Sequence, residues 1–145
     1  MEDVRLLFRN FSGKPGKFNR NGDRTFTVVL DPGVAQAMAE DGWYVKWLPP
    51  REEDEGPTPI LDVRVAYIWD KPKVNLVTSR GMTELGEDEI EMLDTVDIVK
   101  VDLTLRPRRW AVDGNSGVKA YLKSIYVTID EDELEHKYAR RFDSA

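Results

Sequence analysis

The 145-residue chain is long enough for one hydrophobic core and short for two, and with 41% hydrophobic and 33% charged residues it reads as a folded globular protein. It has no cysteine and a single histidine, His136, which excludes disulfides and cysteine nucleophiles and speaks against His-rich metal sites or a His-based triad. The formal net charge of −6 argues against coating nucleic acid by charge alone.

The charge is unevenly spread. From Val4 to Thr27 the cations Arg5, Arg9, Lys14, Lys17, Arg20 and Arg24 face Asp23 as the lone acid, whereas acids gather in Glu52 to Glu55, Glu84 to Asp97 and Asp130 to Glu135. An acidic chain with its positive charge concentrated in one stretch is a candidate for a local anion site. No apolar run approaches the ~20 residues of a membrane helix. The run MEDVRLLFRN lacks a basic start followed by a long apolar stretch, so a cytosolic, unsecreted protein is expected.

In chain order, Arg5 to Phe11 alternates weakly and gives way to a glycine- and proline-bearing loop, with a turn signal at Asn21-Gly22. Arg24–Asp31 reads as a strand, with Phe26, Val28 and Leu30 on one face. Asp31-Pro32 opens a short helix that Gly42 stops. Trp43–Leu48 is a strand, and the acidic, proline-bearing stretch Pro49–Pro59 is a solvated loop or the tip of a long hairpin. Leu61–Trp69 alternates, with Leu61, Val63, Val65 and Tyr67 facing one way, and Val74–Thr78 is a further short strand. Glu87–Leu93 reads as a short acidic helix. Ile98–Arg106 is a strand with Val99, Val101, Leu103 and Leu105 as its core face. A turn starting at Asp113-Gly114 leads into the long strand Val118–Ile129, and Asp130–Tyr138 closes as a helix. Six or seven strands with two or three short helices predict a mainly β chain, a barrel or partly open sheet in one domain over residues 1–145, with a C-terminal helix and tail from about 130.

Three clusters could carry chemistry. The first is the loop segment Arg9–Arg24, RNFSGKPGKFNRNGDR, which interleaves cations with Phe11 and Phe18. Single-stranded nucleic acid asks for this pairing, because cations track phosphates while aromatic faces stack on bases. It is not a phosphate loop, as no Gly-Lys-Ser/Thr element follows. Its structural alternative is a solvated loop with its phenylalanines in the core. The second cluster, Arg106, Pro107, Arg108, Arg109 and Trp110, pairs guanidinium groups with an indole at a strand end, where charge could equally serve solubility. The third, Lys119, Tyr121 and Lys123 at i, i+2 spacing, shares one strand face, yet Ile125 and Val127 share that parity, so part of the face must be covered. Tyr44 and Lys46 are the contact candidates of their strand, whereas Trp43, Trp47 and Trp69 are read as core or rim. Asp62 and Asp102 form the alternative of a metal pair for phosphodiester cleavage, but no acidic or His-bearing signature accompanies them.

The runs RNFSGKPGKFNRNGDRTFTVVLD, DGWYVKWLPP and VDLTLRPRRWAVDGNSGVKAYLKSIYVTIDEDELEHKY, in that order, resemble small bacteriophage single-stranded DNA-binding proteins from Arg9 to about Tyr138. The resemblance implies an OB-fold-like five-stranded barrel elaborated with extra hairpin strands. It also implies a non-catalytic role in phage replication or recombination, in the host cytoplasm, with single-stranded DNA as partner and no cofactor. On it, Arg9, Lys14, Lys17, Arg20 and Arg24 would hold phosphates, helped by Lys46, Arg106, Arg108, Arg109, Lys119 and Lys123. Phe18, Tyr44, Trp110 and Tyr121 would stack bases. Replication or recombination proteins are the further partners it implies, and a homodimer is left open. The C-terminal run RRFDSA departs from the acidic tail through which many replicative single-strand binders recruit partners. The rivals are a protein-assembly module whose basic loop meets an acidic partner, and a metal-dependent nuclease.

Overall fold

The computed structural model describes residues 1–17 and 19–130. Most of the helix expected over Asp130–Tyr138 lies outside them. In order along the chain run β1 (Arg5–Asn10), β2 (Thr25–Val29), α1 (Pro32–Glu40), β3 (Val45–Leu48), β4 (Thr58–Arg64), β5 (Lys73–Thr78), β6 (Gly81–Leu85), a 3-10 helix (Ile90–Asp94), β7 (Ile98–Val112) and β8 (Asn115–Ile129).

The mainly β architecture predicted from the alternation is present. The antiparallel neighbours β1, β2 and β4 lead to β8, which pairs with β4 in parallel through Val63–Ala120 and Arg64–Tyr121. β5 continues the same edge of β8 with Val74 opposite Ile125, and β7 lines the other edge throughout. The backbone N–H of Val4 donates to Val101 O and that of Leu103 to Met1 O, both at 2.9 Å, which brings the start of the chain against β7. The path β1-β2-β4-β8-β7 thereby curls back on itself. β3 and the β5–β6 hairpin are additions to that path.

The core fills the inside of the curl. Phe11 and Phe26 are fully buried and stack at 5.1 Å between ring centroids with 19° between planes, each ring contributing about 1.5–3 kcal/mol by burial. Phe11, one of the two loop aromatics, is therefore core. The alternation of β2 buries Phe26 and Val28, and that of β4 buries Leu61 and Val63. α1 starts where expected, because Pro32 takes its first turn and the Asp31 carboxylate accepts from Gly33 N at 3.0 Å and Val34 N at 3.3 Å.

Several differences from the sequence reading have local causes. Val99, expected in the core face of β7, is 65% exposed. A bulge falls between Ile98 and Lys100, leaving Val99 outside the register with β8. β4 ends at Arg64 rather than running to Trp69, and β6 is an unpredicted strand because GMTEL has almost no buried face. The acidic helix expected over Glu87–Leu93 forms as the shorter 3-10 helix, with Ile90 and Leu93 buried as expected. β7 also runs past Arg106 to Val112, so the second cationic cluster lies within a strand and not at its end. The hairpin closes through Asp113 and Gly114, both at positive φ (50° and 82°), the two-residue turn whose twist matches its strands.

Candidate nucleic-acid interface

The register of three strands assembles the site. Across β7 and β8, Arg106 lies opposite Tyr121, Arg108 opposite Lys119 and Trp110 opposite Gly117, and directly opposed residues share a face. Across β8 and β4, Tyr121 lies opposite Arg64. Tyr121 therefore sits in one transverse row between Arg64 and Arg106, on the side of the sheet away from Leu61, Val63 and Leu122. Lys46 joins the same outer face, where its ammonium lies 2.8 Å from Asp62 Oδ2 and 5.4 Å from the centroid of the Tyr44 ring. The hydrogen bond to Asp62 is the main cause raising the Lys46 pKa above its ordinary value, so this side chain is firmly cationic.

The parity puzzle in β8 resolves at a second bulge. Thr104 opposes Ser124 and Leu105 opposes Leu122, which leaves Lys123 unopposed. Beyond it the alternation is reset, so Lys119 and Tyr121 face out while Ile125 and Val127 are fully buried. Lys123 is exposed at the bulge, where the outer face ends.

Over this face hangs the β4–β5 connection. The Arg108 guanidinium stacks on the Trp69 ring at 3.7 Å and lies 5.3 Å from the Tyr121 centroid. Arg64, Ile68, Trp69, Arg106, Arg108 and Tyr121 line a cleft of about 520 Å³. A second hollow of about 220 Å³, bordered by Tyr44, Asp62 and Lys119, shares Arg64 and Tyr121 with it, so the two form one groove along the face. Tyr44, Ile68 and Trp69 are 66%, 80% and 70% exposed, an unusual density of bare apolar side chains beside cations.

Trp69 and Arg64 join this face although the sequence does not point to them, Trp69 being expected as core or rim within a strand running to position 69. The strand stops at Arg64, however, and the chain beyond Val65 turns the indole outward. The run Trp69-Asp70-Lys71-Pro72, a tryptophan beside a charged turn, was the available signal.

The basic loop is a built structure rather than a loose arm. Asn10 Oδ1 accepts from Lys14 N at 2.9 Å, and Asn19 donates to Lys14 O and Asp23 O while accepting from Asp23 N. Gly13 has φ +70°, and a side chain there would come within 2.8 Å of Gly22 O, so glycine lets the two halves of the loop close. Lys14, Lys17 and Arg20 are exposed. The loop returns to the sheet at the groove, with Val65 N donating to Arg24 O at 2.9 Å and Asp23 paired with Arg64 at 2.7 Å. Phe18 lies outside the described residues.

Two loop-end arginines are not on the face. Arg9 Nη1 donates to Leu93 O at 2.9 Å and Val96 O at 2.8 Å. Arg24 pairs with Glu87 at 2.7 Å and lies over the Tyr67 ring at 5.3 Å. Burial is the main cause raising the Tyr67 pKa, so its phenol stays neutral. Arg109 opposes Val118 and so projects from the opposite side of the ribbon to Arg108.

A family model described as a putative phage ssDNA-binding domain matches residues 1–143. The chain belongs to that family. Among solved structures it is similar to the single-stranded DNA-binding protein from bacteriophage Enc34 in complex with ssDNA. That similarity has 14% identity and a TM-score of 0.57, covering 90% of this chain and 85% of that one. A second structure of the bacteriophage Enc34 protein gives 12% identity, a TM-score of 0.56 and coverage of 90% and 79%. Its C-terminal truncation gives 13%, 0.56, 90% and 84%. No curated protein matches the chain. At these identities the likeness is one of fold, and it bears out the OB-fold-like barrel with added hairpins.

Proposed function

We propose that this chain is a non-catalytic single-stranded DNA-binding protein of phage replication or recombination, holding phosphates with cations and stacking bases on aromatic rings. The observation that carries the reading is Tyr121 flanked by Arg64 and Arg106, with Arg108 and Trp69 stacked alongside in an open groove. Ring faces interleaved with guanidinium groups suit a splayed single strand, whose bases are free to stack, and each stack contributes about 1–3 kcal/mol. Lys46, Lys119 and the exposed loop cations Lys14, Lys17 and Arg20 extend the cationic path on either side. Membership of the family supports the same reading, as does the Enc34 protein's complex with ssDNA.

The nuclease alternative finds less support. Asp62 is engaged by Thr27 and Lys46, and Asp102 Oδ1 accepts from Asp3 N at 2.8 Å. Among the described residues no group of three or more His, Asp or Glu side chains is placed to hold a metal ion.

Titration of labelled oligo-dT and of duplex of equal length, at low and moderate salt, tests the reading. Affinity for dT that exceeds affinity for duplex and falls steeply with salt is expected, with quenching of tryptophan fluorescence. Failure to bind dT at low salt overturns the reading, and strand cleavage on adding magnesium would replace it with the nuclease.

A further inference from the structure

Among the cations of the outer face, Lys46 and Arg106 already hold carboxylates. Lys46 lies 2.8 Å from Asp62 Oδ2, and Arg106 Nη1 lies 3.3 Å from Asp70 Oδ2. A carboxylate oxygen at that distance occupies the position a phosphate oxygen would take on the same donor. Both pairs are partly open to solvent, with side chains 46% and 48% exposed in the first and 38% and 74% in the second. Ion pairs of this exposure are weak and readily exchanged.

We propose that Asp62 and Asp70 are internal competitors for DNA phosphate, each holding its cation on the face and surrendering it when a strand enters the groove. This rests on the reading of the face as a single-strand site. The two acids are built for such a task in different ways. Asp62 Oδ1 accepts from the buried hydroxyl of Thr27 at 2.8 Å, which aims Oδ2 at Lys46 and keeps the carboxylate in place after the cation leaves. Asp70 belongs to the exposed β4–β5 connection and lines the larger cleft beside Arg106 and Trp69. In both cases the carboxylate remains beside the incoming strand and lowers its affinity below what the cations alone would give.

The test is a pair of double-mutant cycles read by dT binding at low salt: Asp62→Asn with Lys46→Met, and Asp70→Asn with Arg106→Gln. Each asparagine variant is expected to bind dT about two- to five-fold more tightly than the unaltered chain, and the gain is expected to vanish once its cation is removed. A gain that persists without the cation shows a general effect of net charge and overturns the proposal, as does the absence of any gain. Asp70→Asn alters an exposed side chain and keeps the test valid should Asp62→Asn disturb Thr27. An unaltered chain that does not bind dT is a separate result, one that removes the single-strand reading itself.

Discussion

The guanidinium of Arg108 lies 3.7 Å from the Trp69 ring centroid and 5.3 Å from that of Tyr121, so one cation is shared by rings from two separate elements. The contact ties the β4–β5 connection to the long hairpin across the groove. It also explains how an indole that is 70% exposed keeps a defined position, since a cation over its face contributes about 0.5–1 kcal/mol at an open site. On the single-strand reading proposed above, a side chain of the opposite element already holds the plane of Trp69 for a base to stack on.

Replacing Trp69 with alanine is expected to weaken dT binding by about five- to one-hundred-fold, the value of a single base stack. Phenylalanine should restore part of the affinity. Folding stability should change little, because an exposed ring contributes little burial. Fluorescence anisotropy with labelled dT and urea unfolding, run on the same preparations, check both halves. Unchanged dT affinity would mean that Trp69 is a rim residue only.

Simultaneous replacement of Lys14, Lys17 and Arg20 by alanine should reduce dT affinity at low salt. It should also flatten the dependence of log K on log salt by up to about two, near 0.7 for each phosphate that the loop no longer neutralises. Asn10 and Asn19 brace the loop through bonds to backbone atoms of Lys14 and Asp23, which the substitutions leave in place, so its fold should survive. A slope equal to that of the unaltered chain would show that the loop is merely solvated.

Much of the barrel was legible because β2, β4 and β7 alternate cleanly and because Asp31-Pro32 and Asp113-Gly114 carry unambiguous punctuation. The face was less legible. Tyr121, Arg106 and Arg108 could be named from composition, but their convergence depends on register, and register depends on two bulges that no local signal announces. The same bulges misplaced Val99 and made Lys119–Tyr121 look as though it shared a side with Ile125. Arg64 and Trp69 are obscured for a related reason, since alternation continues in the sequence past Arg64, where the strand ends. The Arg9–Arg24 segment looked like the centre of the site because charge density is visible in sequence. Its two end arginines, however, are taken by Leu93, Val96 and Glu87, partners far away along the chain.

Gly117 is expected to be intolerant of even a methyl group. A side chain there would meet the Trp110 indole at 3.0 Å, three ring atoms at once. Gly117→Ala should therefore displace Trp110 and cost about 1–3 kcal/mol where the ring cannot shift. A changed tryptophan emission maximum together with a lower urea midpoint would register the displacement. An unchanged spectrum would show that the indole moves freely and is not held flat on the hairpin.

Arg9 provides the sharpest separation of a structural cation from a binding one. Its guanidinium donates to Leu93 O and Val96 O, carbonyls at and just beyond the end of the 3-10 helix. In return Asp94 of that helix accepts from Phe11 N at 2.6 Å and Ser12 N at 3.2 Å. This two-way clamp closes the barrel over the fully buried Phe11 ring. Methionine at position 9 would keep much of the side-chain volume while leaving both carbonyls without their donor, a cost of about 1–3 kcal/mol for partly buried, charge-assisted hydrogen bonds. The urea midpoint should fall accordingly, with an unchanged slope. Binding to dT, measured where the variant is folded, should stay within about twofold of the unaltered chain, because removing a cation remote from the groove forfeits only screened, long-range attraction. Weaker dT binding at full stability would give the opposite assignment, with Arg9 released from the helix and engaged with the strand.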